Sequence, residues 1–137
     1  TDAEDEDPAK TQADVTAVAV ALDAEGKIVA VSIDVAQCKG SVDAEGVVTV
    51  AENTLTKREL GDDYNMAKFG NAIAEWDAQS AAFSAYTVGK TADEVAGLET
   101  KEHNGHQVTA DETLFASCTM QITGMQAVIA QAANYAR

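Results

Sequence analysis

The sequence predicts an α+β fold: an antiparallel sheet that opens with a β-hairpin and is packed by two or three helices. Three patterns predict it. Residues Asp14 to Leu22 and Lys27 to Asp34 alternate side-chain size with a period of two on either side of Asp23-Ala24-Glu25-Gly26. A segment from about Asn71 to Thr87, and another beyond Thr123-Gly124, set large apolar side chains at helical spacing. The order strands, helices, strand, helix belongs to segregated α+β domains rather than to a wound parallel sheet.

In the first strand Thr16, Val18, Val20 and Leu22 share one face, and Val15, Ala17, Ala19 and Ala21 the other. In the second, Val29, Val31 and Ile33 are expected on one face. Gly26 supplies the positive φ needed by a type I turn followed by a bulge. The same four residues recur as Asp43-Ala44-Glu45-Gly46 before Val47-Val48-Thr49-Val50, so the same turn chemistry and a third short strand are expected there. Thr56 to Met66 has no clear period and reads as an ordered loop, the kind of segment that often binds ligands. Ile73, Trp76, Phe83 and Tyr86 form the apolar stripe of the first long helix, which Val88-Gly89-Lys90 ends. Thr91-Ala92-Asp93-Glu94 matches a capping box that opens a short helix through Val95 and Leu98. Glu99 to Asp111 is polar, with a turn expected at Asn104-Gly105. Leu114, Ala116, Cys118, Met120 and Ile122 alternate with Phe115, Ser117, Thr119 and Gln121, which predicts a strand with Cys118 facing inward. In the last helix Met125, Val128, Ile129 and Ala132 form the expected buried stripe, and Arg137 meets the negative end of the helix dipole.

A chain of 137 residues has the size of one domain. The organisation expected is an acidic N-terminal tether over residues 1–12 and a single domain over 13–137. The chain starts at Thr1, which suggests a processed precursor whose run Asp2-Ala3-Glu4-Asp5-Glu6-Asp7 stays solvated. Apolar residues make up 46% but aromatics only 5%, so the core is built from small side chains with few large anchors. A formal charge of −14 opposes binding to nucleic acid or to an anionic membrane, both of which need Lys and Arg. No apolar run approaches the roughly 18–20 residues that span a bilayer, so direct membrane insertion is not expected. Cys38 and Cys118 suit one disulfide in an oxidising compartment or, alternatively, two buried thiols. A bridge would close a loop of about 80 residues, for which chain entropy gives about 4–5 kcal/mol.

Candidate chemistry is sparse. His103 and His106 flank a turn with no carboxylate or cysteine fixed beside them, which reads as solvated turn rather than metal site. Asp62-Asp63 lacks the alternate spacing and trailing Glu of a calcium loop. No triad or acid–base pair is placed by spacing, so no catalytic residue is assigned. Lys57, Arg58, Tyr64, Met66 and Trp76 stand out because cations are scarce and large residues lie close to two of them. An aromatic wall with a cationic rim suits a flavin, another anionic aromatic molecule or an acidic partner. These patterns favour a non-enzymatic binding module. A structural protein that self-assembles into homo-oligomers through its N-terminal segment is the alternative, since an extended terminus adds readily to a neighbour's sheet edge.

Four stretches together carry a family resemblance: Val20-Ala21-Leu22-Asp23-Ala24-Glu25-Gly26-Lys27-Ile28, Thr56 to Met66, Glu75-Trp76 with Gln79, and Val88-Gly89-Lys90-Thr91-Ala92-Asp93-Glu94-Val95. Over about Val15 to Ala132 the chain resembles extracytoplasmic domains of anaerobic Gram-positive bacteria, often lipoproteins and distantly related to FMN-binding domains. The resemblance implies export and a location at the cell surface or outside the cell. It also implies a flavin as a cofactor to test. Covalent FMN attachment uses a Ser-Gly-Ala-Thr-like segment with an acceptor Thr; Thr123-Gly124-Met125 is the nearest fragment and does not match it, which leaves non-covalent binding.

Overall fold

The computed structural model describes residues 8–51, 55–70 and 72–136. The acidic run at residues 2–7 and the expected helix-end role of Arg137 lie outside the described residues. The fold is α+β; the described residues form an antiparallel three-stranded sheet, a separate two-stranded hairpin and six short to medium helices.

The first hairpin is longer than its apolar alternation suggests. Strand β1 covers Ala9–Leu22 and β2 covers Ile28–Val42, paired in register from Ala9↔Val42 to Leu22↔Ile28. Residues 9–12, expected to belong to a tether, are therefore the first four residues of the sheet. Gly26, at φ 78°, donates to the Asp23 carbonyl at 3.1 Å, while Asp23 Oδ1 accepts from the amides of Glu25 and Lys27. The second copy of the motif folds the same way: Gly46 sits at φ 83°, and Asp43 Oδ1 accepts from Glu45 and Val47. That turn leads into β3, Val48–Val50, which pairs with residues 40–42 of β2.

Partners across an antiparallel ladder point to the same face. On one face Val18, Val20 and Leu22 of β1 meet Ile28, Val31, Ile33 and Val35 of β2 and join the core. Val29 does not join them. The register shifts beside Ala21 and Leu22, which makes Val29 the extra residue of a bulge and leaves it half exposed. The other face runs Thr11, Ala13, Val15, Ala17, Ala19 and Ala21 beside Ala30, Ser32, Asp34, Ala36, Cys38 and Gly40, and among the described residues no helix covers it along Thr11–Ala17.

The core face is covered by α3 (Trp76–Thr87), which packs on β2, and α6 (Thr123–Tyr135), which packs on β1. The buried stripe of α3 is Trp76, Gln79, Ser80, Phe83, Ser84 and Thr87; Ile73 precedes the helix and is exposed, and Tyr86 lies at the stripe's margin. Helix α6 buries Met125, Gln126, Ile129, Ala130 and Ala133, so its inward face is turned slightly from the expected stripe, with Val128 at the core's border. The capping box at Thr91 and Glu94 forms and opens α4 (Ala92–Ala96), which docks Ala92 and Val95 against α6. Between α3 and α4, Gly89 donates to the Ile28 carbonyl and Ile28 donates to that of Lys90, stitching the helical layer to the start of β2.

Beyond α4 two expected elements change. Glu99 to Asp111 is not merely polar turn: Thr100–His103 (β4) and His106–Thr109 (β5) form a hairpin around Asn104 and Gly105, both at positive φ. That is the preferred chemistry of a two-residue turn. The strand expected at Leu114 to Ile122 does not exist. Asp111 Oδ1 accepts from Thr113 and Leu114 and starts helix α5, Glu112–Phe115. Leu114 and Cys118 are both buried because they are four residues apart across a helical turn, whereas Ala116, which the alternation would bury, is exposed. Met120 and Ile122 follow in a segment without regular structure whose amides at Thr119 and Met120 donate to the buried Gln79 side chain.

The expected disulfide is absent. Both cysteines are free, Cys38 exposed on the outer face of β2 and Cys118 buried in the core. The helical turn that replaces the last expected strand removes the sheet edge through which Cys118 would have been brought beside β2.

Candidate functional site

The segment from Thr56 to Trp76, expected as a loop, is a chain of short helical turns. Thr56 Oγ1 accepts from the Glu59 amide while Glu59 returns to the Thr56 amide, a capping box that starts α1, Lys57–Leu60. Thr56 also donates to Asp34 Oδ2 at 2.7 Å, and the Arg58 amide donates to Asp34 Oδ1, so one carboxylate on β2 anchors the start of α1. A 3₁₀ turn over Gly61–Tyr64 follows, then Asn65 at φ 59° reverses the chain into α2, Met66–Gly70. Glu75, just before α3, accepts from the amides of Met66 and Ala67 and closes the segment on itself.

This brings four of the five expected residues together. Lys57, Tyr64, Met66 and Trp76 line an open cavity of about 530 Å³ with Lys39, Phe69, Met120 and Gln121. The Lys57 ammonium lies 5.1 Å from the Tyr64 ring centre and 5.8 Å from that of Trp76, within cation–π range. Trp76 is buried, and Tyr64 and Met66, partly buried, pack against the core. Arg58 is not part of the lining. Its guanidinium donates to Ser32 Oγ at 2.9 Å, on the hairpin.

The cavity continues into a groove of about 970 Å³ that runs past Asp14 and Gln37 to His103 and His106. Gln12 and Gln37 donate to the Asp14 carboxylate and, with Lys57 and Lys39 nearby, hold its pKa below the ordinary value. Asp14 is thus an exposed anion fixed in the lining of the groove, opposite in sign to Lys57. His103 stacks edge-on against Phe115 at 5.1 Å and contacts the Asn104 amide, which ties it to its own hairpin. Among the described residues no three His, Cys, Asp or Glu side chains gather to hold a metal ion, and no helix is long and apolar enough to cross a membrane.

No family model, curated protein or solved structure matches the chain.

The site therefore stands on its own geometry. Lys39, Phe69, Met120 and Gln121 were not singled out as site residues by sequence: Lys39 arrives from β2, Phe69 from α2, and Met120 and Gln121 from the segment read there as a strand. Chemically the lining offers two ammonium groups, an aromatic and thioether wall, and the Gln121 amide. That set suits electrostatic and stacking recognition of a flat anion.

Proposed function

We propose that this protein is a non-enzymatic extracytoplasmic binding module whose groove takes a flat anionic aromatic ligand of flavin type, held non-covalently. One observation carries the reading: the Lys57 ammonium lies against two ring faces at the wall of an open cavity, with no ion pair to a described carboxylate. A ring face orients a cation without cancelling its charge, so an incoming phosphate or carboxylate meets an available ammonium. Trp76, Tyr64 and Met66 supply the apolar wall for the ring system, and Lys39 supplies a second cation. Placement outside the cytoplasm rests on the family resemblance.

Titration of the purified chain with FMN and with riboflavin, followed by flavin fluorescence, tests the reading. FMN binds more tightly than riboflavin because only FMN carries a phosphate, and Lys57→Gln lowers FMN affinity about tenfold with little effect on riboflavin. Unchanged fluorescence at high micromolar FMN overturns it. The alternative, assembly through the N-terminal segment, has support in β1 being an edge strand that residues 9–12 begin. Removal of residues 1–8 would then abolish light scattering from assemblies of the full chain.

A further inference from the structure

The two faces of the hairpin's outer half differ in polarity. One carries Lys10, Gln12, Asp14, Gln37 and Lys39, and the other carries small and β-branched residues, most of them apolar. Lys10, Gln12, Asp14 and Lys39 are exposed, as is all of Thr11–Ala17, so both faces of this half meet solvent and the apolar one is left open. Val15 is 65% exposed and Val48 63%, and both lie on this open face, as does the exposed Cys38. Its charged groups are Asp34, engaged by Thr56 and by the amides of Val35 and Arg58, and the Arg58 guanidinium that reaches Ser32, two charges of opposite sign.

We propose that this face is the contact surface between two copies of the chain, stacked sheet on sheet about a two-fold axis. Area and charge select a second copy as the occupant. Strands of 14 and 15 residues, with the three residues of β3 beside them, rise about 3.4 Å per residue and lie about 4.8 Å apart, which gives a face of roughly 500 Å². Two copies together bury roughly 1,000 Å², the lower bound for a specific dimer and one of modest affinity. A chain with a formal charge of −14 repels its own copies everywhere except where charge is missing, and this face is where it is missing. It offers none of the aromatic anchors on which hetero-partner interfaces concentrate their affinity, and its one arginine, Arg58, is engaged by Ser32. Flat rows of Ala and Val instead complement an identical flat row, as in aligned sheet packing.

Sedimentation equilibrium of the full chain tests the proposal. A monomer–dimer equilibrium with micromolar Kd is expected, and a strict monomer at hundreds of micromolar overturns it. The double variant Ala13→Lys, Ala36→Lys puts charge on the face while reducing net repulsion, so a rise in Kd of at least about a hundredfold reports burial of that face. Ala81→Lys, exposed on α3, leaves Kd unchanged. A dimer that persists in the double variant overturns the face and points to pairing through the β1 edge. A measurement without substitutions guards against misfolded variants: alkylation of Cys38 slows as wild-type concentration rises through Kd, and a constant rate overturns the proposal.

Discussion

Gln79 has no solvent exposure, and its amide joins segments 40 residues apart: Nε2 donates to the Ala74 carbonyl, and Oε1 accepts from the Thr119 and Met120 amides. Replacing it with Leu keeps the volume but strands one carbonyl and two amides in a dry site. We expect Gln79→Leu to lower unfolding free energy by about 2–4 kcal/mol in urea titration. It also loosens Met120 and Gln121, which line the cavity, so FMN affinity falls with it; undiminished stability would show that water replaces the amide. The cysteines allow a second measurement at this scale. Burial pushes the Cys118 thiol up to about 11, partly offset by the Met120 amide. At pH 8 the folded protein, kept dilute, therefore gains one alkyl group by intact mass, at Cys38, and two in denaturant. A folded protein that gains none would mean that the thiols are bridged.

At the scale of elements, two capping boxes of the same form serve different ends. Thr91 and Glu94 start a helix that docks Ala92 and Val95 in the core, whereas Thr56 and Glu59 start one with no buried residue. Thr91→Val is expected to cost about 1 kcal/mol of global stability and leave FMN binding intact. Thr56→Val removes a cap and the bond to Asp34 as well, freeing Lys57 from its rings. It is expected to weaken FMN binding several-fold while stability changes by less than about 1 kcal/mol; equal effects of the two variants on binding would sink this division. The contrast also explains what the sequence disclosed. The Thr91 box was legible because Val95 and Leu98 follow it at helical spacing, while the Thr56 box is followed by Lys, Arg, Gly and Asp and reads as a loop. The first hairpin was legible from Asp23 to Gly26 and its flanking alternation, but its outer half was not, because Lys10, Gln12 and Asp14 carry no apolar signal. Leu114 to Ile122 misled for the opposite reason. Residues at i and i+4 share a helix face and also share a strand face, so Leu114 and Cys118 fit either reading until the Asp111 cap decides. Of the site, Lys57, Tyr64, Met66 and Trp76 could be found by scarcity of cations near aromatics; Lys39 could not, because it comes from a distant strand.

Taken whole, the molecule has a strongly negative charge, a groove bearing two ammonium groups and an outer sheet face almost without charge, and these respond to salt in opposite directions. Raising NaCl from about 0.1 M to about 1 M shortens the screening length from about 10 Å to about 3 Å. Attraction between Lys57, Lys39 and a ligand phosphate weakens, so FMN affinity is expected to fall. Repulsion between two chains of charge −14 weakens too, while their apolar contact does not, so the sheet-on-sheet dimer is expected to tighten over the same range. Sedimentation equilibrium and FMN titration in matched buffers read both effects. The sign for the dimer separates face packing from the competing arrangement, in which the acidic run at residues 2–7 of one copy reaches the lysines of another. That contact joins opposite charges and loosens as salt rises. A dimer that dissociates at high salt would therefore exclude the sheet face as the contact, whatever the outcome of the flavin titration.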